Sequence, residues 1–215
     1  MDNTAAFDPL KCSRGDKARL EVENGDKQLS YVTWLVCDLG VRRLSSSQIL
    51  ELHKHAVEDI YPCGGSYRNA YMETRMSHGR HTLPPVHRIP ELVDQMVERV
   101  NRERAAGRSE VECAAYALWR LNWIHPFPGG NGRTARMLTY LIIAMAFGSM
   151  PPGVPSIPKL IEESHDEYEA ALRATDERQR PMGDNDDNVD LSPMIEYLQP
   201  LAQRQLDAGT PHDDV

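Results

Sequence analysis

A histidine, a glycine-rich turn and two arginines three positions apart stand together in HPFPGGNGRTAR, His125 to Arg136. They precede an apolar run, MLTYLIIAMAFG from Met137 to Gly148, which reads as a buried helix because it is too short for a membrane span. A helix start is an anion site: its first N–H groups have no partner within the helix, and the macrodipole places partial positive charge there. Gly129, Gly130 and Gly132 carry no Cβ that would keep a phosphate off this backbone. Asn131 adds a side-chain amide, and Arg133 and Arg136, at i and i+3, share a helix face from which both can fork onto further phosphate oxygens. His125 stands just ahead of the turn, stiffened by Pro126 and anchored by Phe127. There a neutral imidazole can take a proton from an incoming hydroxyl. Other phosphate motifs fit worse, since GGNGRT lacks the lysine of GxxxxGK[ST] and no strand precedes it as a dinucleotide fingerprint needs.

The elements that must position these residues are helical. SEVECAAYALWRLNWI starts at the cap Ser109, carries glutamates in its first turn and delivers its C-terminus straight into His125, so this helix aims the base. Trp119 and Trp123 within it read as core packing rather than as a nucleobase cage. Ahead of it, Ile89 to Arg104 has Pro90 in its first turn and an inward stripe of Leu92, Val93, Met96, Val97 and Val100, stopping before Gly107. Lys27 to Leu39 and a helix capped by Ser46 or Ser47 and stopping at Pro62 come earlier. His53 and His55, two apart, point to different helix faces and are structural or surface residues rather than a zinc pair. After Gly148 and a proline-rich bend, KLIEESHDEYEAALRATDERQ reads as one amphipathic helix, and LSPMIEYLQPLAQRQL as a last one, capped by Ser192 and bent or ended at Pro200. Between helices, 64–85 has no helical stripe and reads as a short hairpin or ordered loop, while GDNDDNVD, 183–190, misses the glycine and glutamate of a calcium loop and reads as a solvated linker.

The central string resembles the Fic family signature, HPFx(D/E)GNGRxxR, through His125, Pro126, Phe127, Gly130, Asn131, Gly132, Arg133 and Arg136. The resemblance implies an all-α, Fic-type helical bundle with a short β-hairpin flap, and transfer of AMP from ATP to a Ser, Thr or Tyr hydroxyl of a target protein. It makes His125 the general base, with Asn131, Arg133 and Arg136 also catalytic. Phe127, Gly129, Gly130, Asn131, Gly132, Arg133, Arg136 and Tyr168 would line the nucleotide site; Tyr168 is given a packing role first and an adenine contact second. The flap would clamp the target by strand addition through Tyr67, Arg68, Tyr71 and Met72. Gly129 departs from the signature, since the family places an acidic Mg²⁺ ligand there. No metal-binding residue is therefore identified, Mg²⁺ is expected to be held mainly by the ATP phosphates, and returning an acid at position 129 is expected to raise activity if metal limits the rate. Family members are often silenced by a glutamate in (S/T)xxxE(G/N); ARLEVENG offers Glu23 and Asn24, with Arg19 where the hydroxyl belongs, so Glu23 is expected to pair with Arg136. Ser192 to Glu196 fits that pattern only in part. The resemblance also leaves room for a homodimer or an antitoxin-like partner, for a Fic domain that binds nucleotide or peptide without turnover, and for a transferase of another phosphate-containing group or an enzyme that removes AMP.

Length and composition agree with one domain. The chain has 215 residues, 24 basic against 32 acidic, a formal charge of −8 that argues against nucleic acid and anionic lipid as partners. Cys12, Cys37, Cys63 and Cys113 have no CxxC spacing and are expected as reduced, partly buried thiols. MDNTAAFDPLKCSRGDK shows no signal peptide, so the reading is cytoplasmic, with no membrane span. Residues 1–26 are expected as a polar N-terminal segment carrying the inhibitory element, 27–207 as the Fic domain and 208–215 as a frayed tail.

Overall fold

The computed structural model of the chain describes residues 10–69, 82–179 and 185–210. Among these it forms eight α-helices and no β-strand: α1 Arg14–Thr33, α2 Ser46–Val57, α3 Ile89–Ala105, α4 Glu110–Ile124, α5 Asn131–Phe147, α6 Ile157–Glu163, α7 His165–Gln179 and α8 Ser192–Ala208. The fold is all-α, as the periodicity predicts. No helix of the described residues is long and apolar enough to cross a membrane, and Cys12, Cys37, Cys63 and Cys113 form no disulfide.

The bundle is built around α4, which is buried without interruption from Cys113 to Ile124. A helix apolar on all sides must be covered on all sides. Here α5 lies along it, with α3, α7 and α8 on its other faces, while α2 packs on α5 and α1 on α2. Ala114, Ala115 and Ala117 permit close approach, and Tyr116, Leu118, Trp119 and Leu121 fill the space between, each at 1 % exposure or less. Every such large side chain removed from water contributes roughly 1.5–3 kcal/mol. α4 and α5 meet end to end across the signature turn, so the best-buried pair of helices is also the pair that carries the site.

Several elements depart from the sequence reading. The first helix starts at Arg14, not near Lys27. Its inward residues are Leu20, Asn24, Gln28 and Val32, a four-residue repeat in which the two middle members are amides that an apolar stripe does not register. Asn24 donates to the Glu58 carbonyl and Gln28 to the Leu52 carbonyl, both at 2.8 Å, and Ser13 caps the start by accepting from the Asp16 N–H at 3.1 Å. Residues 14–26 are thus part of the bundle. The cap of α2 is Ser45, in a capping box with Gln48, rather than Ser46 or Ser47.

The stretch 157–179 is two helices, α6 and α7, parted at Ser164, whose hydroxyl bonds the Leu160 carbonyl and the Tyr197 hydroxyl at 2.8 Å each. The last helix runs through Pro200, which lies on its exposed side, and Ser192 is its first residue rather than its cap. The acidic loop is no solvated linker in its described part. Asp186 is drawn between α3 and α4, where Arg120 Nε lies 2.9 Å from its carboxylate, the Tyr116 hydroxyl donates to it at 2.5 Å, and Arg99 holds both its carboxylate and its carbonyl. The flap expectation falls largely outside the described residues, including Tyr71 and Met72; its described flanks, 64–69 and 82–85, form no strand.

Candidate active site

α4 ends at His125, which caps it in a left-handed conformation, φ 49° and ψ 57°. For a residue with a Cβ this backbone is unfavourable by about 1–2 kcal/mol, so neighbours must hold it. Its N–H bonds the Leu121 carbonyl at 2.9 Å. Arg68 does the rest: Nε donates to the His125 carbonyl at 2.8 Å, the Arg68 N–H to the Pro126 carbonyl at 2.8 Å, and Nη2 to the Pro84 carbonyl at 2.6 Å. Arg68 is 7 % exposed, and burial pulls its guanidinium below the usual arginine range. The sequence reading put Arg68 on the flap as a target contact. In the fold it clamps the backbone of His125 and Pro126.

The turn after His125 is wired internally. Asn131 accepts from the Phe127 N–H at 3.0 Å and donates to the Phe127 carbonyl at 2.8 Å, so the buried amide expected to hold phosphate closes the turn. Phe127 is fully buried, its ring parallel to His53 at 3.7 Å and beside Tyr67 at 5.8 Å. His53 accepts from the Gly65 N–H at Nδ1, 3.1 Å, which leaves Nε2–H to donate to the Gly129 carbonyl at 3.0 Å. Burial drives the His53 pKa down to about 4, with the nearby Arg133 adding to the depression and the Gly129 bond opposing it. The histidine is therefore neutral and keeps this tautomer.

Gly130 begins α5 in the left-handed region, φ 78°, and a Cβ there would lie 2.6 Å from Val57 Cγ1, so glycine is required on both counts. α5 then presents its unpartnered first amides, and on its next face Arg133 and Arg136. Arg133 donates to the Ala56 carbonyl at 2.8 Å and lies 3.4 Å from the Glu21 carboxylate. Burial lowers its pKa, while Glu21 and the phenol of Tyr61 act in the opposite direction. Among the described residues Arg136 makes no hydrogen bond or ion pair. Both arginines open on a cleft of about 580 Å³ between α1, α5 and α6, walled also by Glu21, Gln28, Ser156 and Lys159. His125 does not line this cleft; it stands at the other end of the signature turn.

The remaining sequence candidates are placed as follows. Tyr168 is 3 % exposed, accepts from Asn122 Nδ2 at 2.8 Å and lies beside Tyr197, which is a packing position away from the cleft. Glu23 pairs with Arg19 at 2.6 Å on the exposed side of α1, and the carboxylate of that helix that reaches the signature is Glu21, opposite Arg133 rather than Arg136. Position 129 holds no acid, and its space is filled: an ideal Cβ on Gly129 would lie 3.2 Å from Tyr61 Cε2. No group of three or more His, Cys, Asp or Glu side chains able to hold a metal forms among the described residues. Position 129 thus offers no carboxylate to a Mg²⁺ ion. Sequence reasoning missed Lys17, Glu21, His53 and Tyr61 as neighbours of the site. Only His53 left a trace, since it shares with Ile49, Leu52, Ala56 and Val57 the buried face of α2.

One clamped turn thus joins the histidine that ends α4 to the glycine-rich start of α5 and its two arginines. Residues 43–143, which contain the signature turn, match the Fic/DOC family. The chain is 29 % identical over 180 residues to protein adenylyltransferase fic-1 of Caenorhabditis briggsae, covering 83 % of this chain and 31 % of that protein. It is 27 % identical over 193 residues to protein adenylyltransferase Fic of Nematostella vectensis, covering 87 % and 39 %. The chain thus spans about a third of the length of these curated relatives. Among solved structures it superposes on Fic-1 (residues 134–508) from C. elegans with a TM-score of 0.66 at 26 % identity, over 87 % of this chain and 49 % of that one. A Fic domain containing signaling protein from Bacteroides thetaiotaomicron shares the fold, with a TM-score of 0.72 at 24 % identity over 91 % and 73 %.

Proposed function

We propose that this chain is a protein adenylyltransferase, which moves AMP from ATP onto a Ser, Thr or Tyr hydroxyl of a target protein. One observation carries the reading: a single clamped turn joins His125 at the end of α4 to the glycine-rich start of α5, where Arg133 and Arg136 open on a cleft. The names of the curated relatives agree with it.

In this reading His125 takes the proton of the acceptor hydroxyl as its oxygen bonds to the α-phosphorus, and the bond to the β-phosphate oxygen breaks, releasing pyrophosphate. The amides at the start of α5 face the charge that builds on the α-phosphate, and Arg133 and Arg136 hold the distal phosphates. Asn131 serves by locking the turn that presents those amides rather than by contacting phosphate with its bonded faces. Mg²⁺ arriving on the nucleotide would meet no carboxylate from position 129.

Labelled nucleotides test the proposal. ATP labelled at the α-phosphate should mark the protein itself or a target, with loss of the mark in His125→Ala. A γ-label incorporated instead means transfer of another phosphate group. Binding without either incorporation means a non-catalytic domain, and both results overturn the proposal.

A further inference from the structure

The place where the resemblance puts a metal-binding carboxylate is occupied from outside the signature. Tyr61, in the turn that follows α2, lays its ring against Gly129, with Cε2, Cδ2 and Cζ at 3.2, 3.6 and 3.7 Å from an ideal Cβ at that position. Over the same ring sits the ammonium of Lys17, at 5.7 Å from the centroid, carried on the face of α1 that turns to the site. Lys17 is 3.8 Å from the Glu21 carboxylate, and Glu21 is 3.4 Å from Arg133. The wall beside Gly129 is thus phenol, ammonium, carboxylate and guanidinium in sequence. A phenol ring stands where the acid would have stood, Lys17 lies over that ring, and a single acid, Glu21, lies between Lys17 and Arg133.

We propose that Tyr61 and Lys17 take over at this wall the task of a metal-bearing carboxylate: the phenol donates to a phosphate oxygen and the ammonium balances its charge, so that the nucleotide is held without a protein-bound metal. The physical reasoning is direct. An acid at 129 serves phosphates only through a cation bridging the two, because carboxylate and phosphate repel. Glycine at 129 removes that repulsion, and Tyr61 fills the vacated volume with a neutral donor that needs no bridge. Lys17 then supplies positive charge as a protein group, on a stem long enough to follow the phosphate. Glu21 is the counter-ion that a phosphate would displace between Lys17 and Arg133. A second consequence is steric: an aspartate at 129 would press on the Tyr61 ring from its first side-chain atom, so the acid alone enters an occupied space and the ring must give way before a metal site forms. This inference rests on the adenylyltransferase reading.

Calorimetry of ATP binding, in EDTA and in excess MgCl₂, tests it on the whole chain, with thermal unfolding to verify that each variant folds. Wild type should bind ATP with affinities that agree within about twofold in the two conditions. Tyr61→Phe keeps the ring and should weaken binding in EDTA by about tenfold, the loss of one hydrogen bond to a charged group. Lys17→Met should weaken it by a few-fold, an effect that shrinks as salt rises. Gly129→Asp should show no gain with Mg²⁺, whereas Gly129→Asp combined with Tyr61→Ala should bind at least tenfold tighter with it. Wild-type binding that requires Mg²⁺, an unaltered affinity in Tyr61→Phe, or a Mg²⁺ gain in Gly129→Asp alone overturns the inference while the transferase reading stands. Absence of ATP binding in both conditions removes the transferase reading and this inference together.

Discussion

Arg68 Nε donates to the carbonyl of His125 at 2.8 Å, across 57 positions of sequence, and so stabilises the left-handed backbone that carries the imidazole. The bond is directed at the peptide rather than at the ring. Its effect is to fix where the imidazole starts from.

Replacing Arg68 therefore separates positioning from binding. Arg68→Ala strips partners from the His125 and Pro84 carbonyls in a nearly buried setting and should lower stability by about 1–3 kcal/mol. The single-turnover rate of nucleotide transfer should fall at least about tenfold, since a small displacement of a base is costly. ATP affinity by calorimetry should change less than about threefold, and an equal loss of both would show that Arg68 holds the phosphate cradle instead.

The neutral state of His53 gives the fold a defined acid response. With a native pKa of about 4 against 6.5 in the unfolded chain, the unfolded state binds the extra proton between these values. Stability is accordingly full above about pH 6.5 and falls as pH drops towards 4, by up to about 3 kcal/mol from this group. Urea unfolding at pH 7 and pH 4.5 should show that loss in wild type and a smaller one in His53→Gln. Equal losses in the two proteins would assign the acid response elsewhere.

Glycines 130 and 132 should behave differently although they are two residues apart. Gly130→Ala forces a Cβ to 2.6 Å from Val57 in a left-handed backbone, and a loss of about 1–3 kcal/mol in chemical denaturation is expected. At Gly132 the nearest atom to a new Cβ is the far end of Arg136, at 3.6 Å, so the fold should tolerate alanine. Gly132→Ala should instead weaken ATP binding, because its methyl group stands where a phosphate approaches. A stable Gly130→Ala protein would contradict the geometry of the turn.

Glu21 and Glu23, on one helix, offer a paired comparison. Removing the charge of Glu21 frees Arg133 of a carboxylate at 3.4 Å, and Glu21→Gln should tighten ATP binding by roughly two- to fivefold, the range of a partly exposed ion pair. Glu23→Gln alters only an exposed pair with Arg19 and should leave the affinity unchanged. The reverse order would restore Glu23 as the residue that regulates the site.

Asp186 should matter to stability far from the site. It faces the almost fully buried Arg120, whose guanidinium lies 4.4 Å above the Trp123 ring, and it accepts from Tyr116. Asp186→Ala leaves that cation without its carboxylate, and a loss of about 3–5 kcal/mol is expected in urea unfolding. A loss below 1 kcal/mol would mean that the loop merely rests on the arginine.

The signature was legible because its residues are neighbours in the chain. A helix that points its end at His125, a glycine turn and an amphipathic start with Arg133 and Arg136 at i and i+3 follow from local rules of backbone freedom and helix periodicity, and the all-helical bundle follows from apolar stripes. Local rules could not say what surrounds that turn. Arg68 read as a flap residue because the loop that carries it has no periodicity, and Glu23 read as the regulatory carboxylate because it sits in a pattern, while the actual neighbour of Arg133 is Glu21 two residues earlier. Residues 14–26 read as a polar segment outside the bundle because α1 docks there through an amide, Asn24, whose worth lies in the Glu58 carbonyl of the turn after α2. The same holds for His53 under Gly129 and Tyr61 beside it. Sequence spacing determines which groups share a helix face; only the packing of helices distant in sequence decides which burial, charge and hydrogen-bond partners those groups meet.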